Sequence, residues 1–423
     1  MKKRPFYLAV VALFRVMDPL WVCAETPPTW SDEFDGSGPP NPATWTFEQG
    51  FVRNEELQWY TNNATQVGGV LVIEARREQV LNPNFTTPAD ADWRKNREYA
   101  DYTSASIASA GKYSFQYGRM HVRAKIPCFT GSWPAIWTLG NAGEWPSNGE
   151  CDILEYYLVG GVPSILANLA RGTTTRWSAT WDSVSKPVSQ LTAVNASWKT
   201  AYHIWTMQWD QDNVRLYVDN ILMNTIPQSW IVNSVTTWGP QYPFKQPQYI
   251  LLNLAIGGAG GDPSGTTFPL HYEVDYVRVW EGATNNVAPT DISLTTNNVA
   301  ENLPFGTVVG NLSATDADPG EVISYSLVTG TGSTNNSQFQ IAFLSGETKT
   351  SVLKTAAVLS YADGAARSIR VRATDIEGAT YDKILTINVL GGESVETSTE
   401  NMSIPEGGTN TLSATEDKAK KEG

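Results

Sequence analysis

Three carboxylates stand within six residues, Glu150, Asp152 and Glu155, in the run Gly-Glu-Cys-Asp-Ile-Leu-Glu-Tyr at 149–156. In a strand the side chains alternate faces, so Glu150 and Asp152 share one side while Cys151 and Ile153 take the other. Glu155 has the wrong parity. It returns to the acidic face only where a β-bulge absorbs one residue among Ile153 and Leu154. Close carboxylates cannot all ionise easily, and their pKa values are pushed apart. One ionised Glu as nucleophile and one protonated Glu as acid, on either side of a sugar bond, make a retaining glycosidase site, with carboxyl groups roughly 5 Å apart. An extended strand would separate these two residues by about 15 Å, so twist, bulge and inward lean must close the gap. On spacing alone the same acids fit a solvated strand or a calcium site. The flanking Trp145, Ile153, Leu154, Tyr156 and Tyr157 argue for a buried setting.

The elements that must hold these acids read as β-structure. With 34 Gly, 24 Pro, 16 Trp and 17 Tyr, the chain is broken into short segments separated by turns. Residues 69–76, 118–126 and 203–209 carry strand patterns, Asp210 to Asn213 is a polar turn, and no long stretch has a helical period. An all-β chain of this kind packs as two stacked antiparallel sheets. Length and a content of 41% hydrophobic against 17% charged residues predict two globular domains. A formal charge of −13 argues against nucleic acid and anionic membranes as partners. The aromatic side chains serve either sandwich cores or sugar faces. Three His residues, His121, His203 and His271, support neither a histidine-rich metal site nor a serine triad. Pairing of Cys128 with Cys151 is open; the parity of Cys151 favours a small buried hydrophobe between sheets.

Trp-Pro-Ala-Ile-Trp at 133–137 and Trp-Pro-Ser-Asn-Gly-Glu-Cys-Asp-Ile-Leu-Glu at 145–155 resemble the core of glycoside hydrolase family 16, which includes laminarinases, mixed-linkage β-glucanases, agarases and carrageenases. Supporting segments lie at 30–35, 54–61, 117–119, 216–219, 252–258 and 274–280, so the resemblance covers about residues 29–281. It implies a jelly-roll β-sandwich with a long cleft on its concave face. It also implies Glu150 as nucleophile, Glu155 as general acid and base, and Asp152 as the partner that tunes the nucleophile. No cofactor is implied for catalysis. Asn54, Glu55 and Gln208 match family positions that approach the sugar; Asn54 also fits a turn. Trp133, Trp137 and Trp145 are cleft candidates, with core packing as the alternative. Ala170 stands where many laminarinases carry a His, which leaves Asn168, Arg171 or Arg176 to contact the leaving-group side. A structural calcium on the convex face would be held by Glu33 and Asp275, residues that equally fit surface ion pairs. The implied substrate is a β-1,3- or mixed β-1,3-1,4-glucan; the alternatives are an agarase- or porphyranase-type galactan hydrolase and a catalytically silent glucan-binding protein.

Outside that region, residues 1–24 read as a secretory signal, basic at Met-Lys-Lys-Arg, apolar from Phe6 to Phe14, and small at Ala24. The catalytic domain is assigned to 27–282, a polar linker to 283–289, a second domain to 290–390, and a disordered polar tail to 391–423. Ala-Pro-Thr-Asp-Ile-Ser-Leu at 288–294, Val-Ala-Glu-Asn at 299–302, Asp-Ala-Asp at 316–318 and Ile-Arg-Val-Arg-Ala-Thr-Asp at 369–375 resemble a bacterial cadherin-like repeat, an immunoglobulin-like sandwich. Glu301, Asp316, Asp318 and Asp375 are its calcium candidates, with turn formation as the alternative. A secreted location, a polysaccharide substrate, no membrane span, and a glycan or cell-surface contact through the second domain are the corresponding expectations.

Overall fold

A computed structural model describes residues 27–219, 221–282, 286–318, 322–343, 351–375 and 378–391. The signal segment and nearly all of the polar tail lie outside the described residues, as does the first part of the linker.

Alternating apolar residues build two antiparallel sheets over residues 30–281. The first runs Ile221–Pro227, Asn213–Val218, His203–Trp209, Gly118–Lys125, Leu270–Glu281, Val70–Ala75, Ala64–Val67, with Trp30–Asp32 paired to Leu270–Glu281. The second runs Ala179–Pro187, Val162–Gly172, Glu150–Val159, Ser132–Gly140, Gln248–Ile256, Ser106–Ala108, Thr46–Phe47. Between them lies one large core. It takes Met120, Val122, Trp205, Met207, Trp209, Val277 and Val279 from the first sheet, and Ile136, Cys151, Leu169, Leu252 and Leu254 from the second. Cys151 is fully buried there and Cys128 half-buried, and both thiols are free.

Residues of opposite parity on the second sheet face away from the core. Ala108, Ala135, Trp137, Leu139 and Leu251 form a separate apolar cluster on that outer face, with Tyr249 packed against it. This cluster floors the candidate site.

Residues 286–391 form a smaller pair of four-stranded sheets. One is ordered Asp291–Leu294, Val308–Thr315, Ser351–Thr355, Phe339–Phe343, and the other Asn298–Ala300, Thr380–Leu390, Ala366–Thr374, Ser324–Leu327. They enclose a core of Ile292, Leu312, Leu353, Ile369, Val371 and Ile387. No helix among the described residues is long and apolar enough to cross a membrane.

Candidate active site

The site sits on the strand Glu150–Val159. Gly149 precedes it with φ of 82°, a left-handed conformation natural to glycine, and an added Cβ there would lie 2.8 Å from Pro243 and 2.9 Å from Phe244. The strand then meets both neighbours with a shift of register. Trp137 pairs with Asp152 but Ile136 with Leu154; on the other side Asn168 pairs with Asp152 but Leu166 with Glu155. One extra residue is therefore absorbed between Asp152 and Glu155. Ile153 and Leu154 both enter the core, and Glu155 emerges on the face of Glu150 and Asp152.

Each carboxylate then meets a different environment. Trp145 donates its indole N–H to Glu150 Oε2, and Glu150 shares a further hydrogen bond with Asp152. Glu155 accepts at Oε1 from Trp133 Nε1 and at Oε2 from Asn168 Nδ2, both at 2.8 Å. Asp152 is 2% exposed, and its Oδ2 is buried without a hydrogen-bond partner. Among the described residues none of the three forms a salt bridge within 4.0 Å.

Burial raises all three pKa values. Glu155 is pushed up to about 7 by burial, against the Trp133 hydrogen bond and with the charge of Glu150 adding to the rise. Asp152 is driven well above the usual carboxylate range by burial, then by the charges of Glu155 and Glu150. Glu150 is also raised by burial, but hydrogen bonds from Trp145 and Asp152 and the positive field of Arg53 pull it back. The arrangement can thus hold an ionised Glu150 beside a protonated Asp152, with Glu155 carrying a proton up to neutral pH.

Trp133, Trp145 and Asn168 touch the carboxylates directly. Trp137 lies beneath them, 7% exposed, its indole donating to Asn253 Oδ1 at 2.8 Å. Asn54 is exposed, with φ of 55°, and its side chain reaches Glu56 at 3.5 Å. Three expectations are corrected. Glu55 is exposed and its charge acts on Arg97; the buried acid of that motif is Glu56, held by Gln58 Nε2 at 2.7 Å. Gln208 lies on the other sheet, on its outer face, with Tyr217 donating to its Oε1 at 3.4 Å. Arg171 has the parity of the core residue Leu169, points away from the acids, and pairs with Asp182. Arg176 donates to Glu144 through Nε and Nη2, each at 2.8 Å.

The expected calcium ligands fall in three separate places. Glu33 is bound by Arg278, with contacts of 2.7, 2.9 and 3.2 Å, and Asp275 pairs with Arg123. In the second unit Asp318 accepts from the backbone N–H of Val287 at 2.7 Å, and Asp375 from Asn286 Nδ2 at 3.1 Å. Asp316 accepts from the backbone of Asp318 at 2.8 Å. These three cap the linker end. Glu301 sits at the other end beside Leu390 and accepts from the Tyr361 N–H at 2.9 Å; the strand Thr380–Leu390 places it about 30 Å away. No cluster of three or more His, Cys, Asp or Glu among the described residues is placed to hold a metal ion.

Sequence reasoning missed the cationic side of the site. Arg53 lies 5.0 Å over the Trp137 ring and 5.7 Å over the Tyr60 ring, and pairs with Glu48, which also accepts from Ser106 Oγ. Tyr60 donates no signal by itself, but the alternation of buried Glu56, Gln58 and Tyr60 beside Arg53 marks a strand facing the site.

The family model for glycosyl hydrolases family 16 matches residues 51–278. This chain belongs to that family. A β-glucanase of Rhodothermus marinus is 35% identical over 265 residues, covering 59% of this chain and 84% of that protein. A keratan-sulfate endo-1,4-beta-galactosidase of Sphingobacterium multivorum is 31% identical over 261 residues, covering 60% of this chain and 54% of that protein. A solved chain described among the endo-acting O-glycanases that the human gut microbiota express to initiate mucin breakdown superposes with a TM-score of 0.53 at 32% identity, covering 60% of this chain and 90% of that one. The family match at 51–278 lies within the first sandwich.

Proposed function

We propose that the protein is a secreted, retaining endo-β-glycan hydrolase whose substrate is a β-1,3- or mixed β-1,3-1,4-glucan. The observation that carries this reading is the unequal environment of the two Glu residues on one strand face. Glu155, without a cation and pushed up to about 7, is suited to protonate the departing glycosidic oxygen. Glu150, supported by Trp145, Asp152 and the field of Arg53, is suited to attack the anomeric carbon as a carboxylate. The C–O bond to the leaving sugar breaks as the bond to Glu150 Oε forms. Glu155, now ionised, takes a proton from water; the water oxygen attacks the same carbon and Glu150 is released. Asp152 keeps its proton on the Glu150 side throughout, and its hydrogen bond stabilises the negative charge of Glu150 before attack and after release.

The glucan assignment draws on the β-glucanase relative. A β-galactoside-containing glycan is the second reading, favoured by the similarity to the keratan-sulfate galactosidase and the mucin O-glycanase. Export and a cadherin-like accessory role for residues 290–390 belong to the same proposal, with that unit making a glycan or cell-surface contact.

Reducing-sugar release from laminarin, lichenan, agarose, porphyran, carrageenan and keratan, by wild type beside Glu150→Gln, tests it. Release from laminarin or lichenan, lost in the variant, is the expected result. Release only from a galactan moves the substrate to the second reading and keeps the mechanism. Retained binding without cleavage by wild type overturns the enzyme reading.

A further inference from the structure

The row of the sheet that contains Glu150 continues beyond it. Glu150 stands opposite Ala170, and Ala170 opposite Trp181, in antiparallel register. Directly opposed residues present their side chains to the same face, so Trp181 shares the face of the carboxylates two strands away, at about 10 Å. Its neighbour Asp182 turns the other way to pair with Arg171, which fixes the parity of the strand.

Trp181 is 44% exposed. Along the edge strand Ala179–Pro187 its companions on that face are Ala179, Ser183, Ser185 and Pro187, so one indole stands above a low surface. A lone exposed indole is ordinary on a protein surface; this one stands in the row of Glu150, where a glycan lying across the carboxylates passes over it. The hairpin that carries it is also held in place. Arg176 joins it to the loop of Trp145 through the paired contacts to Glu144, and lies 4.4 Å over the Trp177 ring. Gly172 approaches the same loop so closely that an added Cβ would stand 2.1 Å from Ser147 Oγ. With the hairpin already fixed, only the side-chain rotamer of Trp181 remains to be ordered when a ligand covers it.

We propose that Trp181 is a specificity-determining residue: a platform on which the apolar C–H face of a pyranose stacks, for a sugar next along the chain from the one that is cut, on the Ala170 side of Glu150. This rests on the glycan-hydrolase reading above. It names the ligand as a chain long enough to span both positions, and it makes Trp181 matter for long substrates only.

The test compares full-length wild type, Trp181→Ala and Trp181→Phe on the polymer that wild type cleaves and on the shortest oligosaccharide that wild type cleaves. An aromatic contact of this kind corresponds to about a tenfold change in affinity. KM for the polymer is expected to rise about that much in Trp181→Ala and to recover in Trp181→Phe, with kcat on the shortest substrate unchanged. A shift in the oligosaccharide product pattern accompanies it. Equal KM and equal products in all three proteins overturn the inference alone, as does an equal loss on both substrates, which marks a folding effect. Wild type silent on every polymer overturns the parent reading and this one with it.

Discussion

The two outer faces of the first sandwich treat carboxylates in opposite ways. On the sheet that contains Gly118–Lys125 and Leu270–Glu281, Asp275 pairs with Arg123, Glu273 with Lys125 and Glu33 with Arg278. On the sheet that contains Glu150–Val159, three acids lie among indoles and an amide, and burial drives each pKa upward. An acid beside a cation is a stable anion with no reason to hold a proton. An acid buried without an ion-pair partner holds its proton to higher pH, which catalysis needs and stability does not. Of the acids on these two faces, the fold pairs those of one sheet with cations and leaves the three of the other unpaired, with Arg53 reaching Glu150 only through its field.

Glu155→Gln gives the largest expected break in this contrast. Loss of the general acid and base is expected to lower kcat by about a thousandfold on unactivated glycans. For wild type, activity is expected to fall as pH rises through about 7, where Glu155 loses its proton. Stability should move the opposite way in the variant. A carboxyl raised from 4.5 to about 7 binds a proton in the folded chain after the unfolded chain has released it, so wild-type stability falls as pH rises across that window. Glu155→Gln removes that penalty. Its Tm at pH 8 should exceed the wild-type value by about a few degrees, with the gap closing near pH 4.5; an equal Tm at both pH values would show that Glu155 is not strained.

Much of this was legible in the chain. The faulty parity of Glu155 demanded an extra residue at Ile153 or Leu154, and the register shifts on both sides place it there. The alternating strands and the aromatic wealth pointed to stacked sheets. What stayed hidden depended on which sheet a strand joins and how loops fold back. Gln208 has an ordinary strand pattern, and nothing local says that its strand pairs with Gly118–Lys125 rather than with the site sheet. Glu55 and Glu56 are adjacent acids, and the left-handed turn at Asn54 and Glu55 decides which is buried. Arg53 reaches the site only because that turn brings it over Trp137. Asp316, Asp318 and Asp375 do meet at the linker end of the second unit, whereas Glu301, expected with them, lies at the far end of Thr380–Leu390, a separation invisible until the sheet is assembled.

Asp152→Asn sharpens the contrast within the site. An amide retains a donor toward Glu150 but a weaker one than a carboxylic acid, so kcat should fall about tenfold to a hundredfold, less than for Glu155→Gln. Arg53→Met is expected to act through Glu150 with a smaller effect. Without the guanidinium field the pKa of Glu150 rises, so the acid limb of the kcat/KM profile should shift to higher pH. Activity then drops on the acid side of the profile and returns toward neutral pH. An unshifted limb with uniformly lower activity would mean that Arg53 only packs Trp137.

On the opposite face, Glu33→Gln is the smallest expected change and the control for the whole comparison. The Glu33–Arg278 pair is about a third exposed on both sides, so breaking it should cost at most about 1 kcal/mol, with kcat and KM unaltered. The same variant separates an ion pair from a metal ligand. If Arg278 is the partner that Glu33 needs, wild-type Tm is the same in calcium as in EDTA, and the loss in Glu33→Gln shrinks as salt screens the pair. A wild-type Tm that falls in EDTA, and a Glu33→Gln variant that no longer responds to calcium, would put a cation on that face and undo the division of charges between the two sheets.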